Sequence, residues 1–357
     1  MPPPAPRARA RDLGIEIGLL PTGRTNAITD VPGVLVGQTT VWRDEPDPPA
    51  GRGVARTGVT AIVPGGGPLG AVRAPLPAGV AVLNGAGELT SSVQVAEWGL
   101  LETPILLTST MQVGRAWDSL VELLCDLDPT LGVDRVVIPM VGECDDSLLN
   151  DARRMQITAA DVRTAVKGAV AGPVSEGAVG AGTGMVCCEW KGGIGTASRR
   201  VDALGATVGV LLLTNFGSAE RLTVDGVPVG RSLRPPAGPT AARAEAGSCI
   251  GIVATDAPCS ARQLERMARR VGLGLARCGS VATHGSGEIF AAFSTVPAAG
   301  LSPMGDGDLN GLFAAVVEAS EEAVVNSLTA AETVTGTRGR TVHALPLDQL
   351  QALLRPA

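Results

Sequence analysis

The chain has 357 residues, 45% apolar and 18% charged, with a net charge of −6. That length buries a large core and permits one to three domains. The acidic balance argues against a nucleic-acid partner, which needs a concentrated basic surface. No stretch offers about 18 uninterrupted apolar residues, so neither a membrane-spanning helix nor a membrane partner is expected.

In chain order, residues 1–6 lack the charged-then-apolar order of a secretory signal, so a cytoplasmic protein is the simplest expectation. Arg7, Arg9 and Arg11 sit in this Pro-rich leader and suggest a solvated, flexible tail. Short runs rich in β-branched residues predict strands at 58–63, 80–83, 136–138, 206–213 and 249–255. Helices are expected at 91–99, 110–124, 158–167, 261–277 and 308–331. In the last two, Leu264, Met267, Ala268 and Val271, then Leu312, Val316, Ala319 and Ala323, recur at helical spacing. Pro258 and Ser260 supply a start for the helix at Ala261. Buried strands combined with amphipathic helices predict an α/β (α+β) layered fold.

Composition narrows the chemistry. There is no Tyr, with four Trp and four Phe, so aliphatic residues must fill the core and no phenol is available as acid, base or donor. Seven Cys, none in a Cys-x-x-Cys pair, and two His, His284 and His343, give little support to a metal site. Buried thiols in a reducing compartment are the simpler expectation. The acidic group Glu143, Asp145, Asp146 and Asp151 reads as a solvated loop in preference to a metal site, with Glu143, Asp145 and Asp146 as a candidate surface for a substrate amine. Lys191-Gly192-Gly193 lacks the Gly that a phosphate loop needs before its Lys, since Trp190 stands there. The glycines around 180–185 are a poor dinucleotide match. No cofactor is therefore expected.

A Pro/Gly-rich, polar break runs over 231–247 and ends abruptly at Gly247-Ser248, where an apolar strand begins. This is the arrangement needed for intramolecular cleavage. The Ser248 hydroxyl attacks the Gly247 carbonyl, Gly at 247 permitting a strained backbone and an uncrowded carbonyl. Hydrolysis leaves Ser248 with a free α-amine of pKa about 8, suited to act as general base to its own hydroxyl. Gly-Ser alone is a common loop pair and carries little weight.

Seven blocks give that dipeptide its context. They are Thr-Asn-Ala-Ile-Thr-Asp-Val-Pro-Gly-Val at 25–34, Gly-Ala-Gly-Glu-Leu-Thr at 85–90 and Gly-Thr-Gly-Met at 182–185. Lys-Gly-Gly-Ile-Gly-Thr-Ala-Ser-Arg at 191–199 and Gly-Val-Pro-Val-Gly at 226–230 follow. The last are Gly247-Ser248 with Val-Ala-Thr-Asp-Ala-Pro at 253–258, and Gly-Ser-Gly-Glu-Ile-Phe at 285–290. In this order they resemble the DmpA family of L-aminopeptidase/D-amidase-esterases and β-peptidyl aminopeptidases, over nearly the whole chain after the leader. The resemblance implies a single catalytic domain, 1–357, with a four-layer αββα sandwich shared with the ornithine acetyltransferases. It implies self-cleavage into 1–247 and 248–357, the fragments staying associated and assembling as a homotetramer of heterodimers. Ser248 matches the nucleophile, Ser286 and Glu288 the second serine and its acidic neighbour, and Asn215 the donor to the oxyanion. The implied activity is hydrolysis of the N-terminal amide or ester of short peptides, amino-acid amides or β-peptides bearing a free amine. An acyltransferase of the ornithine acetyltransferase type, or an uncleaved binding protein on the same fold, are the alternatives. Two departures stand out: the family's active-site tyrosine has no counterpart, and His284 stands where Asn is expected, as a proton shuttle or an idle loop imidazole.

Overall fold

The computed structural model describes residues 7–237 and 246–355. Its strands are β1 (Leu35–Asp44), β2 (Val54–Val63), β3 (Leu76–Gly85), β4 (Leu100–Leu101), β5 (Ile105–Ser109), β6 (Met140–Cys144), β7 (Val186–Cys187), β8 (Trp190–Lys191), β9 (Ile194–Val201), β10 (Ala206–Asn215), β11 (Ala246–Thr255), β12 (Gly285–Ser294), β13 (Val334–Thr335) and β14 (Thr341–Val342). The helices are α1 (Gly70–Arg73), α2 (Ser92–Trp98), α3 (Val113–Leu127), α4 (Ala159–Lys167), α5 (Ala261–Arg277), α6 (Leu309–Ala330) and α7 (Leu347–Leu354).

Two sheets face each other, one in the order β1-β2-β5-β6, the other β4-β3-β12-β11-β10-β9. Strand side chains alternate between faces, so each sheet feeds two apolar layers. Leu211, Leu213, Ile250, Ile252, Ile289 and Phe293 meet Ile62, Ile105 and Leu107 between the sheets. The opposite face of the larger sheet, through Val210, Leu212, Val253 and Phe290, is covered by Leu264, Met267 and Val271 of α5 and Leu312, Val316 and Ala323 of α6. The smaller sheet is covered by α3 and α4 through Leu120, Leu123, Val162 and Val166. This is the four-layer αββα arrangement. Each fully buried Leu or Val contributes roughly 1.5–3 kcal/mol, which is how a chain without Tyr still fills its core.

Local signals set the helix starts. Thr158 and Ser260 accept from the backbone N–H of Asp161 and Gln263, each three residues ahead, forming capping boxes that begin α4 and α5 where expected. The run 136–138 is not a strand. Val136 is 77% exposed, and the ladder with β5 begins only at Ile105↔Met140, because β-branched residues without a partner strand gain nothing from extension. Conversely β1, β5, β9 and β12 escaped the sequence reading. β12 contains Gly, Ser and Glu, residues poor in strands, yet all but its first residue are buried.

The leader is also corrected. Arg7 donates to the carbonyls of Leu345 and Leu328, both at 2.9 Å. Arg9 pairs with Glu176 at 2.6 Å, and Arg11 with Glu322 at 2.9 Å. Residues 7–11 are thus docked onto the body by their guanidinium groups rather than left in solvent. Buried Glu322 is shared with the fully buried Arg199 at 2.6 Å, and Glu318 completes that network at 3.1 Å.

Candidate active site

Ser248 lies inside a strand rather than at a loop-to-strand junction. β11 begins at Ala246, and its first residues are held on both sides. Asn215↔Ser248 is the last antiparallel pair with β10, while Gly247↔Ser286 and Ser248↔Gly287 pair in parallel with β12. The polar break expected at 231–247 falls partly on residues 238–245, outside the described residues.

Gly247 is required by space, not by dihedral angle. A Cβ there would stand 2.7 Å from the Asn215 carbonyl oxygen and 3.0 Å from Phe216 Cα, whereas its φ is not left-handed. The expectation of a strained Gly247 backbone is therefore replaced by one of close approach.

Alternation divides the predicted residues between the two faces of the larger sheet. Ser248 shares the inter-sheet face with Ile250 and opens into a cavity of about 600 Å³, whose wall also includes Asn215, Glu143 and Asp145. Ser286 and Glu288 lie on the other face with Phe290, and line a separate small recess. The Ser286 hydroxyl donates to Glu288 Oε1, while Oε2 is buried with no hydrogen-bond partner among the described residues. Burial raises the Glu288 carboxyl above the usual carboxylate range, and the Ser286 hydrogen bond offsets part of that. Ser286 is thus set beside the Gly247–Ser248 peptide and not against the Ser248 hydroxyl.

Asn215 is 8% exposed with its amide already oriented. Its Oδ1 accepts from Val186 N–H at 2.9 Å, and its Nδ2 donates to the Asp145 carbonyl at 3.1 Å, leaving one N–H of the NH₂ group. The segment that carries Val186 is anchored by Lys191. This side chain is fully buried, and its ammonium donates to the carbonyls of Gly182, Met185 and Gly192 at 3.0, 2.7 and 2.7 Å. Burial pulls the Lys191 pKa down to about 7. The phosphate-loop lookalike is therefore an internal brace, a role that a Lys flanked by Trp and Gly does not advertise.

The cavity is electrostatically one-sided. Glu88, Glu143, Asp145 and Glu189 line it, and among the described residues no Lys, Arg or His does. Glu143 is 3% exposed, accepts from Glu88 N–H at 2.9 Å and from the Thr110 hydroxyl, and burial raises its pKa. Ser147 N–H donates to Asp145 Oδ1 at 2.8 Å. Asp146, grouped with these from the sequence, does not reach the cavity. It is fully buried, accepts from Ser109 at 2.7 Å and Asn150 at 3.0 Å, and desolvation raises its pKa to about 6. Glu88, Thr110 and Glu189 are among the wall residues that sequence inspection missed. His284 is exposed and lines neither space. All seven cysteines are free; Cys144, fully buried, touches Ser248 and lies 3.5 Å from the Leu213 carbonyl.

Comparison with known proteins accords with this geometry. The model of peptidase family S58 matches residues 26–342. The β-peptidyl aminopeptidase BapA of Sphingosinicella microcystinivorans is 40% identical over 97% of this chain and 92% of its own. A β-aminopeptidase structure from Burkholderia sp. superposes with a TM-score of 0.89 at 43% identity, covering 98% of this chain and 100% of that one. The L-aminopeptidase D-Ala-esterase/amidase of Ochrobactrum anthropi, described as a prototype serine aminopeptidase with a variant of the Ntn hydrolase fold, gives 0.88 at 39% identity over 97% and 98%. Neither an acyltransferase nor a non-catalytic binding protein is favoured by these relatives. Similarity of this length and identity runs over nearly the whole chain, and the chain belongs to peptidase family S58 as a serine-type aminopeptidase of the Ntn fold.

Proposed function

We propose that the chain is a self-processing N-terminal-serine aminopeptidase that acts on short peptides, amino-acid amides or β-peptides with a free amine. The observation that carries this reading is the register around one peptide bond. Ser248 faces Asn215 on one side and the Gly285–Ser286–Gly287 stretch on the other, beside a cavity whose charge suits an ammonium group.

Processing begins when Ser248 Oγ attacks the Gly247 carbonyl carbon. The bond to the Ser248 nitrogen breaks, that nitrogen takes up the proton lost by the hydroxyl, and an ester links the two fragments. Water then hydrolyses the ester, leaving a carboxylate at Gly247 and a free Ser248. In turnover the new α-amine accepts the hydroxyl proton, Oγ attacks the substrate carbonyl, and the proton passes to the amine as its bond to that carbonyl breaks; water then hydrolyses the ester on Oγ, releasing the acid and restoring the hydroxyl. Asn215 supplies its remaining N–H to the developing oxyanion, a donor worth roughly 3–4 kcal/mol in such sites. Ser286, register partner of Gly247, carries the buried charge of Glu288 to the released ammonium. Glu143 and Asp145 receive the substrate amine; Asp146 acts only through the loop it braces. Seven unbridged thiols support a cytoplasmic protein, and the family resemblance supports a homotetramer of processed heterodimers.

Intact mass spectrometry of the purified protein is expected to give two fragments dividing at 247/248. Ser248→Ala is expected to remain one chain with no turnover of aminoacyl amides. An active, unprocessed wild-type chain would refute the mechanism.

A further inference from the structure

The catalytic cavity shares one wall with a second space of opposite charge. Glu189 lines both. The second space, about 370 Å³, is bordered by Arg338, Arg340, Thr341 and His343. Glu189 is tied back by Ala219 N–H, which donates to its Oε1 at 3.1 Å, and neither arginine forms an ion pair among the described residues. The two guanidinium groups belong to the β13–β14 hairpin, closed by Gly336 N–H donating to Arg340 O at 2.8 Å. Lys191 N–H to His343 O at 2.8 Å and Thr337 N–H to Leu149 O at 2.7 Å fasten that hairpin to the catalytic domain. The arginines are thus mounted on an anchored turn across Glu189 from the active-site cavity, and neither is neutralised by an ion pair among the described residues.

We infer that this cationic annex binds the C-terminal carboxylate of the leaving group, making short peptides with a free carboxylate the favoured substrate class. This rests on the proposed reading of Ser248 as nucleophile in the adjoining cavity. An aminopeptidase substrate places its amine on one side of the scissile carbonyl and its leaving group on the other. With the amine among Glu88, Glu143 and Asp145, the leaving group of a di- or tripeptide runs past Glu189. Its carboxylate is repelled by Glu88, Glu143 and Glu189 and attracted by Arg338 and Arg340, whose planar forks suit bidentate recognition. A C-terminal amide of the same peptide fits the space equally and gains none of the charge interaction.

The test is steady-state kinetics of the processed enzyme on a panel of aminoacyl-alanine dipeptides and their C-terminal amides. Wild type, Arg338→Gln, Arg340→Gln and the double variant are compared at low salt and at 0.5 M salt. In the double variant KM for the free acids is expected to rise about tenfold, with kcat little changed, and KM for the amides about twofold or less. In wild type the preference for the acid is expected to shrink at high salt, since these groups are partly exposed. Arg340 also donates weakly to Leu148 O at 3.5 Å, so Arg338→Gln, which removes only an exposed side chain, must reproduce the trend. Equal shifts for acid and amide, or no shift for either, would overturn the annex while leaving the hydrolase standing. No hydrolysis of either series by wild-type protein would overturn both.

Discussion

At the scale of single residues, Glu143 shows how burial and function oppose each other. Both of its oxygens accept hydrogen bonds, which favours the ionised form, but desolvation is larger and raises the pKa. An amine ligand needs the carboxylate charged. As pH falls, Glu143 therefore takes up its proton earlier than an exposed carboxylate does, and affinity for amine-bearing substrates is lost above the ordinary carboxylate range. Glu143→Gln is expected to raise KM for such substrates about tenfold or more and to abolish this acid limb of the KM profile, with kcat less affected. An unchanged KM in that variant would remove Glu143 from amine binding. Asp146 shows the opposite assignment from almost the same sequence position. Its neighbour faces the cavity, whereas its own side chain is turned inward to Ser109 and Asn150.

At the scale of elements, the site depends on short pieces without strong sequence signals. β7 and β8 have two residues each, yet the first holds Asn215 through Val186 and the second supplies Lys191. Three carbonyls converge on a fully buried ammonium that forms no ion pair among the described residues, so these hydrogen bonds are its main support. Lys191→Met leaves those acceptors unpaired, at a cost of about 3 kcal/mol or more, and is expected to lower Tm by roughly 5–10 °C. Because the freed segment also orients Asn215, kcat is expected to fall more than tenfold while KM changes about threefold or less. A loss of stability with full kcat would show that Lys191 supports the fold alone.

At the scale of the whole molecule, the proposed break would not free two bodies. The larger sheet runs β4-β3-β12-β11-β10-β9, so the two strands following residue 247 lie between strands that precede it. Residue 247 itself stands near the start of β11, leaving Ser248 to Thr255 paired to β10. α6, also from the second fragment, packs on β9 and β10 through Val316, Ala319 and Ala323. Processed protein is therefore expected to elute from gel filtration as one species and to divide into two chains only in denaturant. Separation of the fragments under native conditions would contradict this topology.

Some of this was legible in the chain before any coordinates. Helical spacing and Ser260 located α5, apolar runs located β10 and most of β11, and the ordered blocks pointed to the sandwich and to Ser248, Asn215, Ser286 and Glu288. Those features depend on local patterning or on residue identity, which one dimension retains. β12 was invisible because Gly-Ser-Gly-Glu has no preference for extension until two neighbouring strands bury it. The docking of Arg7, Arg9 and Arg11, the inward turn of Asp146 and the bracing by Lys191 each depend on a partner far along the chain or across a fold of it. So does the division of Ser248 and Ser286 between two faces of one sheet. Which side of a strand meets which layer is settled by packing and register, and only the assembled tertiary structure contains that information.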